Sequence, residues 1–291
     1  MQPIDQFHTD MNPESARAQM PNRAPGTGAL AVEARFVRAL IGMNLASAME
    51  YRASFLTQIV FMFVNNGIYF VFWLLFFERF GNVGGYVIHD VYLLFAVVAM
   101  GFGLGTLLAG NTGQRLAYLI AQGRLDYYLV LPRPVLLHVL FSHMTVASFG
   151  DVAFGLLALG FSGYHAPVEL GFYGLAVVAV ALIYTGYMTL AGSLAFFFGN
   201  AEYVSAQLNM AMLTFSLYPH GLFGGGARLL LYTLLPASFI GSVPVALIQA
   251  RSLGLLAGLW GVALVSCAVG AIVFAYGLRR YESGSALNVN V

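Results

Sequence analysis

The chain contains no lysine, a single cysteine and few charged residues of any kind. Its 13 basic residues are all arginine, and charged residues make up 9% of the 291 positions, whereas a soluble domain has about 25%. Hydrophobic residues account for 59% of the chain. This composition excludes an ordinary soluble protein and is typical of an all-α integral membrane protein.

Each shortage also excludes a class of function. A P-loop needs a lysine to reach the phosphates of ATP, so we expect this chain to bind no cofactor of its own. The net charge of +1 provides none of the clustered positive charge of nucleic-acid-binding proteins. Cys267 is alone, which excludes a disulfide framework and a cysteine-based metal site. The sequence contains no histidine–glutamate metal motif either.

Long apolar runs show where the chain crosses the membrane. A helix needs about 20 apolar residues to span the hydrocarbon core. Five segments meet this rule, at 54–77, 91–109, 134–161, 170–198 and 253–277. The region 203–248 is also apolar, but glycines and prolines interrupt it. It forms either two spans or one span followed by a re-entrant hairpin.

The arginines favour the second alternative, because short cytoplasmic segments carry the excess of positive charge. Most arginines lie before the first span, between the second and third spans, or after the last, at positions 17, 23, 35, 38, 52, 115, 124, 133, 279 and 280. Both termini are therefore predicted to be cytoplasmic, and an even number of crossings gives six spans. Residues 218–250 then form an outer re-entrant region that lines a cavity, because non-helical backbone must be shielded from lipid.

The remaining segments surround one transmembrane domain, which is predicted at 32–280. Residues 1–31 are polar and are predicted to be a disordered cytoplasmic tail, and 281–291 form a second cytoplasmic tail. Residues 33–51 have an apolar side opposite two arginines, which predicts an interfacial helix on the inner leaflet. A helix packed on the protein's own loops is the alternative. The longest inner loop is 111–133.

This inner loop is predicted to carry a short helix and to bind another protein. Asn111 or Thr112 is placed to cap the helix, and Gly123 is placed to end it in the left-handed conformation. Arg124 stands beside Asp126, and tyrosines follow. A loop that binds lipid headgroups would be more uniformly basic, whereas tyrosine and arginine are enriched at protein interfaces.

Two features within the spans have more than one interpretation. Gly101, Gly105 and Ala109 recur every four residues, a spacing that predicts close packing of two helices. Asp151 lies well inside the third span, where an ionisable group costs about 3 kcal/mol or more. It therefore faces a transport path, or it hydrogen-bonds a neighbouring helix.

Polar residues near the fifth span are also candidates. Tyr218 and His220 are predicted to line the outer re-entrant region and to form a possible transport path together with Asp151. Glu202 is the only charge in the short inner loop before the fifth span. It either contacts a partner or helps to cap the fifth helix, where Asn200 stands at a plausible helix start.

Five motifs occur in an order that resembles a known family. They are IAQGRLDYYLVLPRPVLLHVL (120–140), FFFGNAE (196–202), SLYPHGLF (216–223), LLPASFIGSVPVAL (234–247) and GLRRYESGSA (277–286). Together they resemble the permease subunits of ATP-binding-cassette (ABC) transporters of the type-two exporter class. The resemblance extends from about residue 33 to the end of the chain.

The resemblance implies a bacterial inner-membrane permease with no enzymatic activity of its own. Two copies of a separate ATPase subunit would bind ATP and Mg, and a second copy of this permease, or a similar one, would complete the transport path within membrane lipid. The expected function is export of an amphiphilic or lipid-like substrate. The residues expected at the ATPase contact are Arg115, Leu119, Gly123, Arg124, Leu125, Asp126 and Glu202.

A second interpretation is ion- or proton-coupled secondary transport that uses Asp151. Carriers of that kind often contain inverted internal repeats and helices broken near the membrane midplane. The sequence contains no convincing repeat, and its glycine and proline breaks cluster at one place.

Overall fold

The computed structural model describes residues 27–82 and 84–281, and this part of the chain forms helices and turns without a strand. The chain divides into two compact units at Ala39 and Leu40. In its described part, the first unit is the beginning of a helix. Most of the two predicted tails, 1–31 and 281–291, lies outside the described residues.

The described residues form fourteen α-helices. In chain order they are α1 (Thr27–Glu50), α2 (Arg52–Phe80), α3 (Ile88–Leu108), α4 (Gly113–Ala121), α5 (Asp126–Leu129), α6 (Val135–Phe141), α7 (Ser148–Ser162), α8 (Pro167–Ser193), α9 (Ala195–Phe198), α10 (Glu202–Ser216), α11 (Gly225–Tyr232), α12 (Ala237–Ile240), α13 (Ser242–Ala250) and α14 (Leu253–Leu278). A short 3-10 helix, His220–Leu222, precedes α11. The predicted interfacial helix at 33–51 corresponds to α1.

Four helical segments of the described chain are long and apolar enough to cross a membrane. They are Arg52–Phe80, Ile88–Ala121, Pro167–Phe198 and Leu253–Leu278. These segments contain four of the five clear spans predicted from the sequence, which confirms an all-helical membrane protein. The other two predicted crossings consist of shorter helices.

The predicted third span, 134–161, is two helices, α6 and α7, separated by residues 142–147. A continuous helix here is therefore a wrong prediction. The break is stabilised by a distant side chain, because Asn44 Nδ2 donates to the carbonyl of Phe141 at 2.9 Å. Backbone that leaves a helix inside the membrane needs such partners, since lipid offers none.

Asn111, one of the two residues predicted as the cap of α4, stabilises this break and does not cap the helix. Its amide donates to the carbonyl of Val139 at 2.9 Å and to Ser142 Oγ at 2.8 Å. Tyr128 Oη lies 2.9 Å from the same Ser142 Oγ. The helix α4 begins after Thr112, whose side chain makes no capping hydrogen bond. The break and the inner loop are thus joined by one hydrogen-bond network.

The helix α3 is the most deeply buried of the four long segments. A Cβ atom on Gly103 would lie 2.9 Å from a side chain of α7, and one on Gly105 would lie 2.9 Å from a side chain of α8. Gly101 also faces α8, and Ala109 is buried where α3 ends. Glycines on two faces let α3 approach both neighbours closely.

The region after α10, predicted to be re-entrant at 218–250, consists of short helices. The longest is α13 with 9 residues, which corresponds to about 14 Å and is too short for a hydrocarbon core of about 30 Å. The hydroxyl of Ser216 donates to the carbonyls of Met212 and Ala237 at 2.6 and 3.2 Å. The bond to Ala237 joins the end of α10 to α12.

The helices α8 and α14 are in backbone contact at Gly186. A Cβ atom there would lie 2.5 Å from the backbone nitrogen of Cys267 and 2.5 Å from the carbonyl carbon of Ser266. Gly270 faces the carbonyl of Gly186 from the other helix. Neither helix can accept a side chain at this crossing without moving its backbone.

We expect Gly186→Ala to destabilise the protein by about 1–3 kcal/mol, because the added methyl group overpacks a backbone contact. The measurement is thermal unfolding of the detergent-purified protein. Gly174→Ala is the matched control on the same helix, since a Cβ atom at Gly174 has no neighbour within 4 Å. The control should unfold at the same temperature or slightly higher. Equal melting temperatures for the two variants would contradict the close backbone contact between α8 and α14.

Candidate functional site

A cavity of about 610 Å³ lies beside the corner between α3 and α4. Residues of α2, α3, α4, α7, α8 and α10 line it, together with the break before α7. It brings together residues from both predicted sites, namely Asp151 from the possible transport path and Arg115, Leu119, Arg124 and Glu202 from the expected ATPase contact. The two predicted sites are therefore adjacent.

Asp151 is the buried acid of this cavity, with 3% of its side chain exposed. It lies in the first turn of α7 and not well inside a long helix, because the break shortens the predicted span. Asn66 Nδ2 donates to Asp151 Oδ1 at 2.7 Å. The other oxygen, Oδ2, is buried, and no donor from the described residues reaches it. The N-terminal end of a helix favours negative charge, which supports a carboxylate at this position.

The walls of the cavity combine polar and apolar groups. Thr106 Oγ1 lies 2.6 Å from Ser148 Oγ, which links α3 to the start of α7. The hydroxyl of Tyr184 donates to Asn209 Oδ1 at 3.1 Å, which links α8 to α10. The ring of Phe102 meets that of Tyr184 edge to face, with centroids 4.6 Å apart. An amphiphilic molecule would find both kinds of contact here.

The inner loop ends its helix as the sequence predicts. Gly123 has a φ of +66°, which confirms the left-handed end of α4. The N–H of Arg124 donates to the carbonyl of Leu119 at 2.9 Å, and the N–H of Gly123 donates to that of Ile120 at 3.2 Å. This pair of bonds is a Schellman motif. It turns the chain sharply at the edge of the cavity.

The loop has a buried side and an exposed side. Leu125 is fully buried in a cluster that includes Leu116 and Phe274, so it stabilises the docked loop and is not available for direct contact. Burial and the adjacent Asp126 carboxylate raise the pKa of Tyr281 to about 12, so this tyrosine is a neutral phenol at ordinary pH. It joins the loop to the end of α14.

The other residues expected at the ATPase contact differ in exposure. Arg115 and Arg124 are exposed, and Tyr127, in the same loop, is 72% exposed. The residues that are partly exposed are Leu119, Gly123, Asp126 and Glu202. The N–H of Glu202 donates to Asn200 Oδ1 at 3.3 Å, but Ala201 stands at the N-cap position of α10 and no side chain caps this helix start. Arg115, Arg124 and Tyr127 are thus the exposed side chains of this set.

Tyr218, one of the two predicted outer residues, does not line this cavity. Tyr218 packs against Trp73, with ring centroids 5.2 Å apart, and against Phe223 at 6.4 Å. The side chain of His220 lies outside the described part of the chain. No group of three or more His, Cys, Asp or Glu side chains that could hold a metal ion occurs among the described residues.

Among the residues that the sequence did not single out are Tyr184 and Asn209, which line the cavity, and Asn66, which binds Asp151 there. Their signals in the sequence differ. Asn66 belongs to the pair NN at 65–66 within an otherwise apolar span, a signal that marks a polar contact inside the membrane. Tyr184 and Asn209 give no comparable signal, because tyrosine and asparagine also occur in ordinary helix contacts. Their pairing depends on how α8 and α10 pack.

A family model described as ABC-2 family transporter protein matches residues 63–285. The matched region runs from within α2 past the end of α14 and contains most of the cavity-lining residues. No curated protein and no solved structure gives a significant match.

We expect Asn66→Leu to destabilise the protein by about 1–3 kcal/mol or more, because it removes the one donor that the described residues provide to a buried carboxylate. Thermal unfolding in lipid nanodiscs measures the loss. Asn65→Leu is the matched control, since Asn65 is the adjacent, exposed asparagine. Replacing both partners, Asn66→Leu with Asp151→Leu, should recover part of the loss. Equal effects at positions 65 and 66 would contradict a structural role for the pair.

Proposed function

Because the chain belongs to the ABC-2 family of transporter proteins, we propose that it is the membrane-spanning permease subunit of an exporter in the bacterial inner membrane. Two separate ATPase subunits would bind ATP and Mg and supply the energy. A second copy of this chain, or a similar permease, would complete the transporter. The substrate would be amphiphilic or lipid-like, in keeping with a cavity that has both polar and apolar walls.

The observation that carries the proposal is that α4 contacts the cavity and the exposed loop at once. Leu119 and Arg124 line the cavity, and Tyr127 follows them on the exposed side. The first residue of α4 also packs closely on α8, since a Cβ atom on Gly192 would lie 2.6 Å from the carbonyl oxygen of Gly113. A force on the loop would therefore move a wall of the cavity, which is the coupling that an ATP-driven transporter needs.

The proposed topology has six crossings, with both termini in the cytoplasm. The third crossing would consist of α6, the break and α7, and the fifth of α10. The short helices at 218–250 would enter and leave on the outer side, because none of them is long enough to cross. The loop at 111–133 would then face the ATPase.

Transport with the ATPase encoded beside this chain tests the whole proposal. The two proteins should purify as a complex, and ATP should drive substrate movement in proteoliposomes. A failure to form a complex, together with transport that is indifferent to ATP, would show that the proposal is wrong.

Tyr127→Ser is expected to weaken the permease–ATPase complex by roughly tenfold, because an exposed tyrosine at an interface core often dominates binding. The measurement is the dissociation constant of the purified complex. Tyr51→Ser is the matched control, since Tyr51 and Tyr127 are each 72% exposed. Equal affinity of the unchanged permease and the two variants for the ATPase would show that this loop does not contact the ATPase.

The proposed topology predicts the side of the membrane from which a labelling reagent can reach the start of α4 and the end of α2. In a Cys267→Ser background, Gln114→Cys should react with an impermeant maleimide in inside-out vesicles, and Asn82→Cys should react in intact spheroplasts. Gln114 and Asn82 are both exposed, so each thiol should be reachable from its own side. Labelling of both positions from the same side would contradict the topology.

Ion- or proton-coupled transport that uses Asp151 is the second candidate function. The buried position of Asp151 in the cavity favours it, because intramembrane acids often carry protons or ions. The two functions separate in vesicles that lack any ATPase. Uptake driven by a pH gradient and abolished by Asp151→Asn would favour the carrier.

A further inference from the structure

Asp151 lines the cavity, and one of its carboxylate oxygens has no donor among the described residues. Its Oδ1 accepts from Asn66 at 2.7 Å, whereas Oδ2 is buried without a donor from the described chain. A buried carboxylate oxygen without a partner is costly. A ligand that brings a hydrogen-bond donor, and preferably a positive charge, would relieve this cost.

The rest of the lining suits the organic part of such a ligand. Phe102 and Tyr184 form an edge-to-face aromatic pair, and Met62 and Met188 also line the cavity. Methionine side chains adapt to ligands of different shape, and aromatic rings attract cations over their faces. At about 610 Å³, the cavity lies within the usual range for small-molecule sites, about 300–1,000 Å³.

The charges at the cavity differ in how strongly solvent screens them. Arg115 and Arg124 are exposed, and the guanidinium of Arg124 lies 5.3 Å from the ring centroid of Tyr118. Glu202 is partly exposed and contributes the opposite sign. Salt screens exposed charges much more than buried ones. Among these four charged groups, Asp151 is the buried one, and it therefore dominates the choice of ligand charge.

We propose that this cavity binds organic amines, with the ammonium group at Asp151 and the apolar part against Phe102 and Tyr184. The inference deepens the proposed function by naming a substrate class, and it rests on that function only for the step from binding to export. Binding itself requires neither the ATPase nor a membrane gradient. A failed binding experiment and a failed permease–ATPase complex are therefore separate results.

The experiment measures the binding of three matched probes to the full chain in lipid nanodiscs, with empty nanodiscs subtracted. The probes are 2-phenylethylammonium, 2-phenylethanol and 3-phenylpropionate, which share a phenyl group and differ in charge. Dissociation constants come from ligand-observed NMR. We expect the cation to bind most tightly, the alcohol more weakly and the anion most weakly.

The variant Asp151→Asn should weaken binding of the cation by about tenfold or more and leave the alcohol within about a factor of two of its original affinity. The amide oxygen retains the hydrogen bond from Asn66, so the variant should fold, and its melting temperature verifies this. Glu202→Gln is the matched control at the other cavity carboxylate and should preserve the preference for the cation. Thr145→Trp, which fills the cavity without changing its acidic residues, should weaken the binding of both the cation and the alcohol.

Several results would overturn the proposal. If the anion binds most tightly, the arginines and not Asp151 determine the charge of the ligand. If the three probes bind equally, charge has no role in binding. Loss of the preference in Glu202→Gln would place the ammonium group elsewhere. Unchanged cation affinity in folded Asp151→Asn would also exclude this site. If Asp151→Asn does not fold, the order of the probes on the original chain and the Thr145→Trp variant still decide the matter.

Discussion

Lipid cannot satisfy an unpaired N–H or C=O, and the arrangement of this chain follows from that constraint. The helix that would form the third crossing breaks at 142–147. The break is stabilised because Asn44 donates to the carbonyl of Phe141 and Asn111 donates to that of Val139, just before it. The donors come from two other parts of the chain, so the break also fixes where those parts pack. Thr145, within the same break, lines the cavity.

The break determines the chemistry of the cavity as well as its position. A continuous helix would hold Asp151 in the middle of a span, whereas the new helix start puts it in a first turn, where backbone N–H groups favour negative charge. Gly103 lets the carboxylate side chain lie directly against α3. Asn66 then binds one oxygen. The acid of α7 is thus a partly satisfied group beside the cavity.

Local features of this fold could be predicted from the sequence, whereas features that depend on distant pairs could not. The left-handed end of α4 follows from Gly123 and its place after an amphipathic repeat. The break before α7 was not predicted, because hydropathy does not reveal a donor 97 residues away in the sequence. The burial of Leu125 was missed for the same reason. The leucine looks like part of an exposed loop until Phe274 packs near it in one cluster.

The proposed coupling through the loop at 111–133 depends on the connection between α3 and α4. Ile88–Ala121 is a single long segment with only a short interruption before α4, so the loop helix is attached directly to the most buried helix of the bundle. The face of α3 at Gly103 supports Asp151, and the face at Gly105 supports α8. Close-packed contacts of this kind transmit displacement, because they leave no space to absorb it. A tilt of α4 would therefore reach the acid and the aromatic wall together, and it would change the shape of the cavity without unfolding any helix.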